Sequence, residues 1–193
     1  MELIGIFLVA CGLLVLAGVA KAARPDDTAR ALVLLAARKT PRVPSFGATR
    51  LAVRIGALVE MVLGVYALLF PRTVTAAFVA VSYVLFVCIT VYARTQGGAL
   101  STCGCFGRPD TPPTGLHVVL NVVFAATAVV MALQPPHLSA LFPILKAQPW
   151  SGLPLVLASG VGVWLAFLAF STLAALEAAH RLAGGRKREA LNS

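Results

Sequence analysis

Residues 73–93 read TVTAAFVAVSYVLFVCITVYA, a run with no charge anywhere in it. A helix rises ~1.5 Å per residue, so about 20 apolar residues cross the ~30 Å hydrocarbon core of a bilayer. Four further stretches share this character. Residues 3–20 are uncharged and stop at Lys21, and residues 115–133 run into Pro135-Pro136. Residues 51–70 end at Pro71 and contain Glu60, while residues 147–176 carry no charge at all. The last stretch is long enough to cross with tilt. Composition agrees: 59% of the 193 residues are hydrophobic and 12% are charged. A soluble domain has roughly 45–50% apolar and about 25% charged residues. A soluble globular protein, a disordered tail and a disulfide-stapled secreted miniprotein are excluded. The fold class is all-α, a polytopic membrane helix bundle of five transmembrane helices.

The first run reads as a retained helix and not a cleaved leader. Glu2 is the one charged side chain before it, and its length exceeds the roughly 7–15 residues of a signal core. Behind it, the segment near 27–39 begins with acids and ends with Arg38-Lys39, the order that suits a helix macrodipole. Its apolar part is too short to span. It is expected to lie in the membrane interface as an amphipathic helix. Residues 1–133 then form a four-span core, with a connector over 95–114. A Pro-rich connector and fifth span fill 134–182, and 183–193 is a basic tail. Trp150 and Trp164 are of the kind found near headgroups. No internal repeat appears, so an inverted-repeat transporter has no support.

Charge sets the expected orientation. With five spans, fourteen of the sixteen Lys and Arg share one side and only Arg72 and Lys146 occupy the other. The positive-inside bias places the N-terminus outside, and the 95–114 connector and C-terminus in the cytoplasm of a cell that inserts the chain in its inner or plasma membrane. The net charge of +9 is therefore an orientation and lipid-attraction signal, at roughly 1 kcal/mol per basic residue near an anionic surface. The partner it indicates is the lipid bilayer and not nucleic acid.

Few residues remain for chemistry. Cys103-Gly104-Cys105-Phe106-Gly107 lies in the polar 95–114 connector. Two thiols separated by one residue close only a small, strained and hence oxidising disulfide ring, and Arg108 favours the reactive thiolate. His117 is near enough in sequence to act as a base toward Cys105. A metal site is the competing reading. Cys88, Cys103, Cys105 and His117 supply four soft ligands of the kind that hold copper or zinc. Cys11, in the middle of span one, reads as a small core residue.

Glu60 is costly inside a membrane unless paired, hydrated or protonated, so it should face the bundle. Its functional reading is a proton carrier or a partner for a quinone or thiol; its structural one is a hydrogen-bonded carboxylic acid. Gly56, Glu60 and Gly64 recur every four residues, as do Ala158, Gly162 and Ala166, and both sets read as helix-packing faces. His117 and Asn121 lie one turn apart, with Asn121 expected as interhelical glue.

Three segments carry a family resemblance. They are Arg54-Ile55-Gly56-Ala57-Leu58-Val59-Glu60-Met61-Val62-Leu63-Gly64, the Cys103–Gly107 motif, and Leu120-Asn121, preceded by the helix-one ending Leu16 to Lys21. In this order, across roughly residues 3–133, the chain resembles the MauE family, grouped with DoxX-like redox-associated membrane proteins. The resemblance implies a membrane accessory of cysteine redox metabolism that supports maturation of a disulfide-rich dehydrogenase beside a thioredoxin-like partner. Cys103 and Cys105 would be the redox pair, with Glu60 and Asn121 as family positions. Family members often carry a basic residue before the Asn, where this chain has Leu120. Thiol–disulfide exchange or electron relay is thus the expected function, and a metal-binding or scaffolding subunit is the alternative. No cofactor is fixed; a quinone or the redox-active disulfide itself is the class such a site would use. A cytoplasmic Cys pair conflicts with a role in envelope disulfides, because persistent disulfides are rare in the cytoplasm.

Overall fold

The computed structural model describes residues 2–39, 44–95, 114–134, 146–147 and 149–173. These form α1 (Glu2–Ala23), α2 (Pro25–Lys39), α3 (Phe46–Leu69), α4 (Thr73–Thr95), α5 (Gly115–Leu133) and α6 (Leu153–Leu168). A 3-10 turn, Pro149–Gly152, leads into α6 and a π-helical turn, Ala169–Leu173, continues it. Helices α1, α3, α4 and α5, and α6 together with its π-helical turn, are long and apolar enough to cross a membrane, and there is no strand among the described residues. The protein is a multi-pass helical membrane protein. The Cys103–Gly107 motif, the Pro-rich connector and the basic tail lie outside the described residues.

Helix α1 is the axis of the bundle. Ile4, Phe7, Ala10, Cys11, Leu13, Leu14 and Ala17 are buried around it, whereas α6 buries no residue by the same measure. It packs most extensively on α3, and also on α5 and α6. The α1–α3 contact is antiparallel and very close. A Cβ placed on Gly18 would fall 2.7 Å from the Ala57 carbonyl oxygen, and one on Gly64 would fall 2.9 Å from that of Cys11. Small residues allow this approach, which lets dispersion act between backbones where lipid offers no hydrophobic drive. Helix α4 is tied to the axis by the Tyr83 hydroxyl, which donates to the Ala10 carbonyl at 2.6 Å. Helix α6 lies along α1 through Val9 with Gly162 and Gly12 with Val163.

The helix ends follow local chemistry. Ser45 caps α3, accepting from the Ala48 amide. The helix therefore starts five residues ahead of the expected span, at Phe46 instead of Leu51. That polar first turn packs on α2, where Arg50 pairs with Asp26 at 2.7 Å. The interfacial segment is a helix over Pro25–Lys39, with Asp26 and Asp27 in its first turn. The Pro71 turn between α3 and α4 is closed by Thr75, whose hydroxyl accepts from the Arg72 amide at 2.9 Å.

Two packing faces differ from expectation. Gly56 is exposed and a Cβ on it would meet nothing within 4 Å; the buried face of α3 is Val53, Ala57, Gly64 and Ala67. Ala158 is likewise exposed, while Gly162 and Ala166 are partly buried. The reason is the mismatch between a four-residue repeat and ~3.6 residues per turn, which rotates a stripe by about 40° at each step. Trp164 also points outward, so it does not serve as core.

Gly64→Val is expected to force α1 and α3 apart and to lower stability by about 1–3 kcal/mol, the usual cost of overpacking. Gly56→Ala should be neutral or stabilising by up to about 1 kcal/mol. Thermal unfolding of both variants in one detergent distinguishes the two positions; equal losses would contradict the assigned face.

Candidate functional site

Lys21 and Glu60 form the centre of the site. Span one was expected to stop at Lys21, but α1 continues to Ala23 and turns the lysine inward, leaving it only 9% exposed. Its Nζ donates to both carboxylate oxygens of Glu60, at 2.7 and 2.9 Å. The same ammonium lies 4.4 Å from the centroid of the Phe86 ring on α4, a cation–π distance. Three helices therefore converge on one charge. The bidentate geometry answers the cost of an intramembrane carboxylate, since each ion supplies the other's missing solvation.

Beside the pair is a cavity of about 30 Å³, lined by Leu13, Ala17, Lys21, Tyr83, Phe86, His117, Asn121 and Phe170. His117 and Asn121 share a face of α5, as their spacing predicts, and both are buried. The His117 ring is held at the helix start: the Thr114 amide donates to Nδ1 at 3.4 Å, and the Thr114 hydroxyl oxygen is 2.9 Å from the same nitrogen. With Nδ1 as acceptor, a neutral ring carries its hydrogen on Nε2. Phe170, in the π-helical turn after α6, packs on the ring at 5.0 Å between centroids. Such turns often mark functional positions because the extra residue re-aims a side chain.

Asn121 does not act as interhelical glue, since its carboxamide has no hydrogen-bond partner among the described residues. Cys88 does not line this cavity; it is a free, exposed thiol on the outer face of α4, about half a turn away from Phe86. Cys11 is buried in the core as expected. Among the described residues no three His, Cys, Asp or Glu side chains gather as a metal site. Cys103 and Cys105 lie outside the described residues. The cavity is also far smaller than the ~150 Å³ that holds a benzene ring in a protein core.

Lys21, Tyr83, Phe86 and Phe170 complete the site without having been singled out from the sequence. A signal for Lys21 was present: Leu13, Ala17 and Lys21 recur every four residues on one face, and an intramembrane acid calls for a base.

Membrane-length helices packed around an axis that carries a largely buried ion pair define a polytopic membrane protein with an internal polar site. The family model for methylamine utilisation protein MauE matches residues 1–134, and the chain belongs to that family. No match was found among curated proteins or among solved structures. The matched region contains every cavity residue except Phe170, which α6 and its π-helical turn supply.

Removing one partner of the pair leaves a buried charge. Lys21→Met and Glu60→Gln are each expected to matter, with Lys21→Met destabilising by about 3–5 kcal/mol. The double variant Lys21→Met/Glu60→Gln should recover most of that loss. Unfolding midpoints of the three proteins form the check, and an additive double variant would deny the coupling.

Proposed function

We propose that this member of the MauE family is a membrane component of thiol–disulfide exchange, with Cys103 and Cys105 as its redox pair, and that it supports maturation of partner proteins. The observation that carries this reading is where the connector is anchored. It leaves α4 at Thr95 and returns at Thr114, and Thr114 is bonded to His117 in the wall of the cavity. The cysteines are thus tethered to the end of the bundle that holds the polar site. From Cys105 to Thr114 the chain reaches at most about 30 Å, enough to bring the thiol to His117.

The exchange is balanced between two proteins. A thiolate of a thioredoxin-like partner attacks the Cys103–Cys105 disulfide, forming a mixed disulfide and releasing one cysteine thiolate. The partner's second thiolate then breaks the mixed disulfide. The partner is oxidised by two electrons, the pair is reduced by two, and two protons pass with them. A strained Cys-Gly-Cys ring favours this direction. The neutral His117 ring can give the leaving thiolate a hydrogen bond from Nε2, and Glu60 offsets the charge of Lys21 beside it. The charge distribution supports a cytoplasmic site for the pair.

Two measurements test the reading. Full-length protein treated with reductant should gain a maleimide mass shift at Cys103 and Cys105 that is absent before reduction, and Cys105→Ser should abolish its dependence on reductant. Identical labelling of the wild type with and without reductant, at every redox poise, would end the proposal. For sidedness, a membrane-impermeant maleimide should reach reduced Cys103 in lysed but not in intact cells; labelling of intact cells reverses the assigned orientation.

A further inference from the structure

Asn121 is 7% exposed and lines the cavity, yet its carboxamide is bonded to no described residue. A buried carboxamide with neither its donors nor its acceptor satisfied is strongly disfavoured, and native proteins pair such groups with protein or with water. The space it faces has the dimensions for the second solution. A water needs about 10–15 Å³ and two to four polar partners. Here the volume is about 30 Å³. Four of the residues that line it are polar: Asn121, Lys21, His117 and Tyr83, whose hydroxyl hydrogen is already given to Ala10. An all-apolar cavity stays dry even when larger. Leu13, Phe86 and Phe170 also line this one.

We infer that the cavity is an internal water site in which one or two waters, held by Asn121, join the His117 ring to the Lys21–Glu60 pair. Such waters hydrate an ion pair that lipid cannot solvate, and they give it a hydrogen-bonded connection toward the α5 start. Their placement stands whether or not the cysteine pair is redox-active. It also gives Asn121 a role distinct from helix packing, that of a ligand for water.

The test uses the full chain in detergent and the solvent itself as probe. Hydroxyl radicals generated by X-ray pulses from bound water oxidise the side chains beside it, and mass spectrometry locates the product. Phe170 lines the cavity; Phe7 and Phe124 are comparably buried but do not. Phe170 is expected to oxidise several-fold faster than Phe7 and Phe124 in the wild type. Asn121→Leu should bring it down to their level, whereas Asn121→Ser should keep most of the difference. In protein labelled with 15N-lysine, the Lys21 ammonium hydrogens should also exchange several-fold more slowly in Asn121→Leu. Equal oxidation of the three phenylalanines in the wild type means a dry cavity and overturns the inference. That comparison needs no variant, so a substitution that fails to fold does not rescue it.

Discussion

The Lys21–Glu60 ion pair constrains most of what surrounds it. A carboxylate on a membrane-spanning helix must meet its counter-ion at hydrogen-bond distance, and two backbones must come close for that to happen. Gly18 and Gly64 permit the approach, one on each helix, along the α1–α3 contact. The register of α3 against α1 is thereby held by two close backbone contacts together with the ion pair. Phe86 then covers the ammonium with a ring, so α4 is also positioned by the same charge. A one-residue slip of α3 would turn Glu60 by about 100° and expose it to lipid.

The site that results is asymmetric in origin. Residues 1–134, the part matching the family, supply the ion pair, the aromatic ring above it and the His117–Asn121 face. The remaining wall comes from the fifth span. Helix α6 is otherwise loosely engaged, buries no residue of its own and presents Trp164 to the surroundings. Its contact narrows to small-residue packing on Val9 and Gly12 and to Phe170 on His117. The π-helical turn is what brings Phe170 inward at the end of a helix that mostly faces lipid.

Span number and length were legible in the sequence because a bilayer imposes one length and one polarity on every crossing segment. Residues 115–133 and the observed α5 coincide for that reason. Orientation of individual faces was less legible. Gly56 and Ala158 were placed by a four-residue repeat, which drifts from the true helical period by about 80° over two steps. Lys21 was read as the end of a span because a charge after an apolar run usually is one; its inward turn depends on Glu60, thirty-nine positions away. Tyr83 and Phe170 gave no local signal at all, since an aromatic residue in an apolar helix becomes a site residue only through what the fold sets opposite it. His117 and Asn121 were found because polar residues one turn apart stand out against an apolar helix.

Phe170 follows every other cavity residue in the sequence, and this order carries a consequence for biogenesis. Domains and their elements emerge from the ribosome N-terminal part first. Helices α1 to α5 can gather, pair Lys21 with Glu60 and set Thr114 against His117 before α6 has been synthesised. The cavity is then still open on one side, and water has direct access to the ion pair during the period when the charges are most exposed to error. Docking of α6 shuts that side with a single ring, so the polar interior is sealed only after its other walls are in place.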